Sequence, residues 1–311
     1  MPGAILEIKK KISGVQNTRK ITKAMQLVAA SKMRQFQKKA ISARGFAWDL
    51  FKVLEKNLTE ESSSPYTEKR TEGKTLFVLY TSDKGLCGSL NTKLINGLFR
   101  SNRWLNLKED ERLLITIGKK SYGYAKNNNI AIAEQFVGIP EKLSNLDVIE
   151  IIDKILQYWN KPEEDEDRAK EIIFIAPFYK NSFTFYPVMK TLLPFSVEAI
   201  KSNLHISEEE AELKEEVKQE ELKNMSMIFL PEQELVLNSL YEQIIQATFI
   251  ESFLELKASE YSSRMIAMQN ATEAADKMIN NLRLTFNKAR QQSITQEIAE
   301  LIGASMAMGE A

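Results

Sequence analysis

The chain has 311 residues, 43% of them apolar, with 42 basic side chains against 42 acidic ones and a single cysteine. That is material for one ordinary domain plus an extended element, and a lone Cys87 excludes an internal disulfide framework and fits a reducing compartment. No apolar run approaches the roughly eighteen residues that a membrane-spanning helix needs, and the start turns to charge too early for a secretory signal, so a soluble, cytoplasmic protein is expected.

A first helix is expected over residues 3–59. Steps of three and four trace one seam through Ile5, Ile8, Ile12, Val15, Arg19, Thr22, Gln26, Ala29, Met33, Phe36, Ala40, Ala43, Ala47, Leu50 and Leu54. This is the heptad spacing by which a helix winds around a partner helix. Gly14 and Gly45 interrupt it mildly, an interior glycine costing about 1 kcal/mol against alanine. Arg19, Thr22 and Gln26 put three polar residues in a row on the seam, while Ile21, Met25 and Val28 carry the apolar side one position over. Two readings are open: a polar layer that fixes register, or an apolar stripe that turns outward to meet another protein. Residues 1–44 hold eleven Lys or Arg and one acid, Glu7. Solubility does not require that bias, so an acidic partner surface is expected.

Residues 60–74, with three serines and Pro65, read as a linker. The period then changes. Strands are expected over residues 75–81, 113–117, 130–136 and 171–176, with helices up to residue 100 and over 119–126 and 146–159; alternating Phe183, Phe185, Pro187 and Met189 suggest an antiparallel hairpin strand. Strands alternating with helices imply a mostly parallel α/β sandwich. A segment rich in Glu and Lys, residues 205–223, has too few apolar positions to bury a face and reads as a solvated helix or a disordered insert.

From residue 232 to 302 no Gly or Pro occurs, and at 1.5 Å per residue such a helix is roughly 100 Å long. Its seam runs through Leu237, Leu240, Ile244, Ala247, Glu251, Leu254, Ala258, Tyr261, Met265, Met268, Thr272, Ala275, Ile279, Leu282, Phe286 and Ala289. Glu251 is the charged exception. A single domain cannot cover such a rod. Two matching seams at opposite ends, closed by a compact segment, point to an intramolecular antiparallel coiled coil rather than a homodimer of separate coils. The expected fold class is therefore α+β, a long antiparallel two-helix coiled coil with an inserted α/β, Rossmann-like domain. Its expected parts are residues 1–60, 75–200, an acidic insert at 205–231, and 232–311.

Chemistry is sparse. Gly85 and Gly88 follow the first strand as G-x-x-G, which is neither dinucleotide fingerprint nor phosphate loop, and a tight strand-to-helix turn is the default. His205, the sole histidine, lies in the acidic segment, which argues against His-based acid–base catalysis or a His-ligated metal. Cys87 has no histidine near it in sequence and reads as a small packed residue. No active site, cofactor site or metal site is expected. A rod that transmits force or position remains, as does a basic helix that grips nucleic acid. The second is disfavoured, because the basic residues interleave with the seam and residues 1–35 offer no aromatic for base stacking.

Four stretches carry a specific resemblance: residues 15–33 (VQNTRKITKAMQLVAASKM), residues 82–88 (SDKGLCG), residues 258–260 with 264–268 (ASE and RMIAM), and residues 287–297 (NKARQQSITQE). In this order the chain resembles, over nearly its whole length, the gamma subunit of the rotary, proton-translocating ATP synthase. The resemblance implies a rotor shaft without an active site, one copy inside a hexamer of alpha and beta subunits, its α/β domain beside the epsilon subunit and on the ring of c subunits. It further implies that Lys20, Lys23 and Met25 meet an acidic segment of beta, that Arg290, Gln291, Thr295 and Glu297 form a polar catch on beta supported by Arg264, and that Leu301, Ile302, Met306 and Met308 are the tip in an apolar bearing. Lys84, Gly85, Leu86, Cys87 and Gly88 would lie at the foot, near epsilon and the ring. The implied location is peripheral, on the cytoplasmic face of a bacterial inner membrane. The acidic segment after His205 is longer than the family's usual connection, and the paired cysteines of the redox-regulated plastid form are missing.

Overall fold

The computed structural model describes residues 2–57, 64–196 and 232–309. The acidic insert expected at 205–231 lies wholly outside them, as do the last two residues of the expected first helix. Two very long helices bracket the chain, α1 (Pro2–Asn57) and α6 (Gln233–Gly309). The chain forms two compact units, one of Met1–Ser31 with Arg264–Ala311, the other of Lys32–Ser263.

In the first unit, one segment of α1 lies antiparallel to one segment of α6. Thr22 and Thr272 share a buried hydroxyl–hydroxyl hydrogen bond of 2.8 Å, and three residues earlier on α1 Arg19 pairs with Asp276, four residues later on α6. The seam read from the sequence is the covered face. Thr22 and Ala29 are buried and Ile5, Ile8, Ile12 and Val15 half-buried; opposite them Met268, Thr272, Ala275 and Ile279 are buried. Thr22 of the polar layer therefore sits inside, and sliding either helix would break its bond to Thr272, while each hydroxyl keeps a carbonyl of its own helix, Arg19 or Met268, to donate to. The apolar stripe beside it also faces outward, with Ile21 60% and Val28 56% exposed. The inward polar layer and the outward apolar stripe coexist, because they lie on different faces of one helix. Gly14 has open space where a Cβ would stand, so it costs propensity and nothing else.

The second unit is built on a five-stranded sheet in the order β3-β2-β1-β4-β5. Its strands are β1 (Lys74–Tyr80), β2 (Arg112–Ile117), β3 (Glu134–Phe136), β4 (Ala169–Asn181) and β5 (Thr184–Leu193). The first four run parallel and β5 returns antiparallel along β4. Helices α2 (Leu90–Phe99), α3 (Asn102–Leu105), α4 (Lys119–Asn127) and α5 (Asn145–Trp159) connect them. Strand β1 is central and buried throughout after its first residue, as a doubly covered parallel strand must be. One sheet face carries Phe77, which meets Trp104 of α3; Phe99 of α2 touches both Trp104 and Tyr124 of α4. On the other face Tyr80 and Phe174 close on Phe249 of α6. Thus the stretch of α6 between Ile244 and Glu260 is buried nearly all round, as the central helix of this unit.

Three details depart from the expected elements. The third strand is only three residues long rather than 130–136, because the Ile130 amide caps α4 through the Ala125 carbonyl instead of joining the ladder. Strand β4 runs on to Asn181, since the hairpin with β5 pairs Asn181 with Thr184. The short helix α3, started by the Ser101 hydroxyl accepting from the Trp104 amide, was not anticipated.

Candidate interaction surfaces

The expected site residues fall on four surfaces. On α1, Lys20 and Lys23 are exposed and Met25 is half-buried; the Lys23 ammonium donates to Gln26 at 3.2 Å. Ile21, Leu27 and Val28 stand exposed beside them, Leu27 being an apolar member that the sequence reading passed over. An apolar stripe flanked by cations suits a partner that is both apolar and acidic.

On α6, Arg264 is buried, while Arg290, Gln291, Thr295 and Glu297 are all exposed. The seam ends at Ser293, whose hydroxyl donates to Glu297 at 3.3 Å, and Thr295 donates to the Gln291 carbonyl at 2.9 Å. At about 100° per residue, Arg290, Gln291, Thr295 and Glu297 span an arc of about 160° turned away from the seam. Within that arc stand Ile294, Ile298, Leu301 and Ile302, exposed by 47–71%. From residue 294 to 305 every side chain is exposed. The spacing of these isoleucines and leucine, steps of four, three and one, is that of a helix face awaiting a cover. The side chains of Met306 and Met308 lie outside the described residues.

The fourth surface is the loop from Ser82 to Gly88. It holds itself by its own side chains. The Asn91 carboxamide accepts from the Ser82 amide at 3.0 Å and donates to the Cys87 sulfur at 3.2 Å, and the Ser82 hydroxyl donates to the Lys84 carbonyl at 2.7 Å. Cys87 is therefore packed inward, whereas Lys84, Gly85, Leu86 and Gly88 face outward. Leu86 is 61% exposed and sits at φ +62°, a left-handed conformation that a leucine adopts only when its neighbours impose it. The amides that open α4 are also occupied: Lys119 donates to Asp83, Lys120 to the Ser82 carbonyl and Ser121 to the Thr81 hydroxyl. A phosphate would find no free cradle at this helix start. At the switch between β1 and β4, where doubly wound sheets bind ligands, Phe249 fills the space over Tyr80 and Phe174.

Gly118 anchors the base of this loop. It lies at φ +98°, and a Cβ there would stand 2.1 Å from the Thr81 carbonyl oxygen. Gly118→Ala is expected to destabilise the α/β unit by about 3 kcal/mol, a glycine-only backbone conformation combined with a backbone clash. Urea unfolding read on tryptophan fluorescence checks this; an unchanged midpoint would mean that the backbone relaxes freely here.

Sequence reading missed one buried constellation. Lys190 of β5 and Glu251 and Glu255 of α6 are each 0–1% exposed, and Arg44 of α1 reaches both carboxylates. Only Glu251 drew notice, as the charged residue on an apolar seam. Burial pushes the Glu255 carboxyl up to about 7, against the pull of Lys190 and Arg44 and with the charge of Glu251 adding to the rise.

Comparison with known proteins bears on the chain as a whole. The family model described as ATP synthase matches residues 4–308. The ATP synthase gamma chain of Heliobacterium modesticaldum is 33% identical over 311 residues, covering 99% of this chain and 100% of that one. That of Pelotomaculum thermopropionicum is 31% identical over 307 residues, covering 98% and 99%. The fold is similar to a chain in the Euglena gracilis mitochondrial ATP synthase, with a TM-score of 0.63 at 17% identity, covering 99% of this chain and 95% of that one. With end helices that pair antiparallel in the first unit, a five-stranded sheet in the second and relatives matched end to end, this chain belongs to the ATP synthase gamma-chain family, the non-catalytic central rotor shaft of that enzyme.

Proposed function

We propose that the four surfaces divide the work of the shaft among distinct partners. The basic, apolar-striped sector of α1 at Lys20, Lys23 and Met25 rides on an acidic segment of the beta subunits. Arg290, Gln291, Thr295 and Glu297 engage beta as a polar catch, with Arg264 holding the helix behind them. Leu301, Ile302, Met306 and Met308 turn in an apolar collar made by the alpha and beta subunits. The loop at Lys84, Gly85, Leu86, Cys87 and Gly88 contacts epsilon and the c-subunit ring. One copy serves each hexamer. Residues 1–60 and 232–311 act as the shaft and 75–200 as the foot, peripheral on the cytoplasmic face of a bacterial inner membrane. Among the described residues no helix is long and apolar enough to cross a membrane, which fits a subunit held to the membrane through its partners.

The observation that carries this reading is the face of α6 beyond Ser293, where polar and apolar side chains interleave with nothing covering them. A helix end of this kind is stable in water only as part of a longer helix, and its apolar half gains by insertion into a concave partner. Replacing Gln291 and Glu297 together by alanine is expected to weaken coupled ATP turnover while leaving the fold of the free chain intact, because both side chains are exposed. The double variant is to be purified with alpha and beta subunits and assayed for subunit ratio and ATP hydrolysis. Wild-type turnover with tight one-per-hexamer assembly would overturn the assigned catch.

A further inference from the structure

In the second unit, α6 is held mainly by apolar contacts at Ile245, Phe249, Phe253 and Leu256, all buried. Such contacts are strong but carry little direction. A helix packed only this way is fixed against leaving its site better than against turning or sliding in it. The buried charges supply what the apolar contacts lack. Glu251 and Glu255, four residues apart, present two carboxylates side by side on one helix face. From β5 the Lys190 ammonium donates to Glu251 at 2.5 Å and stands 3.8 Å from Glu255. From α1 the Arg44 guanidinium stands 3.6 Å from Glu251 and bonds Glu255, while stacking 5.1 Å over the Phe178 ring of β4. Each carboxylate is thus tied to a strand on one side and to a helix on the other. One oxygen of Glu251 and one of Glu255 accept no hydrogen bond among the described residues, so the cluster is not arranged for maximal bonding.

Such a cluster is costly to build, and apolar residues of the same shape serve stability as well or better. What it supplies is register. A turn of α6 by one residue swings both carboxylates through about 100°, leaving Lys190 without an anion in an interior where an unpaired charge is not tolerated.

We propose that Lys190, Glu251, Glu255 and Arg44 form a register key, which locks α6 against rotation and sliding within the α/β unit so that torque enters this helix without slip. The proposal rests on the rotor-shaft role of the family. Its separate content is that electrostatic register, rather than packing, carries the torque.

The experiment uses the membrane-embedded enzyme with the triple variant Lys190→Met, Glu251→Met and Glu255→Met, which removes the three fully buried charges, keeps the volumes and leaves the partly exposed Arg44 to solvent. Three quantities are read: thermal unfolding of the complex, ATP hydrolysis by the detached head, and protons pumped per ATP hydrolysed. The key predicts unfolding at or above the wild-type temperature, unchanged hydrolysis, and a several-fold loss of pumping per ATP. Pumping per ATP equal to wild type would overturn it, since packing alone would then suffice. Should the triple variant not assemble, Glu255→Gln, which abolishes the ionisable carboxyl and keeps the shape, is expected to show a smaller loss in the same ratio, and a wild-type ratio again overturns the key. A wild-type chain that supports no ATP-driven pumping would instead sink the shaft role itself.

Discussion

Replacing Lys190 alone by methionine is expected to destabilise the α/β unit by about 3–5 kcal/mol, the cost of breaking a buried ion pair by removing one partner. Lys190 is 1% exposed, and its ammonium is the only described cation that meets Glu251 and Glu255 from the sheet side. Without it the two carboxylates share Arg44, which is 25% exposed and keeps part of its hydration. The direction with pH is also set. A carboxyl whose folded pKa is raised binds its proton more tightly in the folded state, so its contribution to stability is fully present below about 4.5. That contribution falls as pH rises toward about 7. Removing Lys190 takes away a cation that favours the ionised form, raises that folded pKa further, and extends the fall to higher pH. The destabilisation by Lys190→Met should therefore be larger at pH 8 than at pH 6. Urea unfolding followed by the fluorescence of Trp48, Trp104 and Trp159, all buried in this unit, measures both the size and the slope. A loss below about 1 kcal/mol, the level of an ordinary substitution, or a smaller loss at the higher pH, would show that the carboxylates find other partners.

The contrast with the triple methionine variant separates two meanings of a buried charge. A single deletion strands buried charges and costs stability; deleting the three fully buried ones together does not, since Arg44 is partly exposed to water. One cluster can therefore be neutral for the fold and decisive for register. The polar layer of the coiled coil is a milder case. Thr22 and Thr272 bond each other across the seam, but each hydroxyl can also donate to a carbonyl of its own helix, Arg19 or Met268, so losing one threonine removes the cross-helix bond without stranding the other.

These two features differed in how far the sequence disclosed them. The helices were legible because a seam repeating every 3.5 residues over dozens of positions leaves few alternatives, and the seam members of α1 and α6 are the residues the structure covers. The polar layer was legible as a break in that repeat, although sequence could not decide between inward register and outward stripe, since a heptad plot does not say how wide the covered face is. The buried key was nearly invisible. Arg44 was one of eleven bases in a basic segment, and Glu255 sits off the seam, where a glutamate is ordinarily solvated. Lys190 left a fainter mark: period two puts it on the strand face of Val188 and Leu192, an odd place for an unpaired lysine. The short β3 and the length of β4 escaped for a plainer reason, that strand ends depend on which neighbour supplies the ladder. Among the candidate positions, the loop from Ser82 to Gly88 drew notice through its motif, but the inward turn of Cys87 and the strained outward Leu86 needed the backbone to be seen.

Reversing Lys20 and Lys23 together to glutamate is expected to lower coupled ATP synthesis by about tenfold or more, because like charges juxtaposed across an interface cost several kcal/mol and about 1.4 kcal/mol is a factor of ten. Both side chains are exposed, so the coiled coil itself should change stability by no more than about 0.5 kcal/mol, as surface substitutions do. The loss should shrink as salt rises, since exposed charges are screened beyond about 10 Å at 0.1 M. Reversing Lys9 and Lys10 instead makes the same change in net charge on the same exposed helix face type, away from the apolar stripe of Ile21 and Val28. That pair should leave synthesis much closer to wild type. Synthesis rates in reconstituted vesicles at two salt concentrations, with circular dichroism melts of each variant, provide the comparison. If both double variants lose activity equally, the basic bias of the segment acts as a diffuse field and the Lys20–Lys23 sector has no special contact. If only the first loses it, and salt restores part of the rate, the sector meets an acidic partner surface through a contact that breaks and re-forms as the shaft turns.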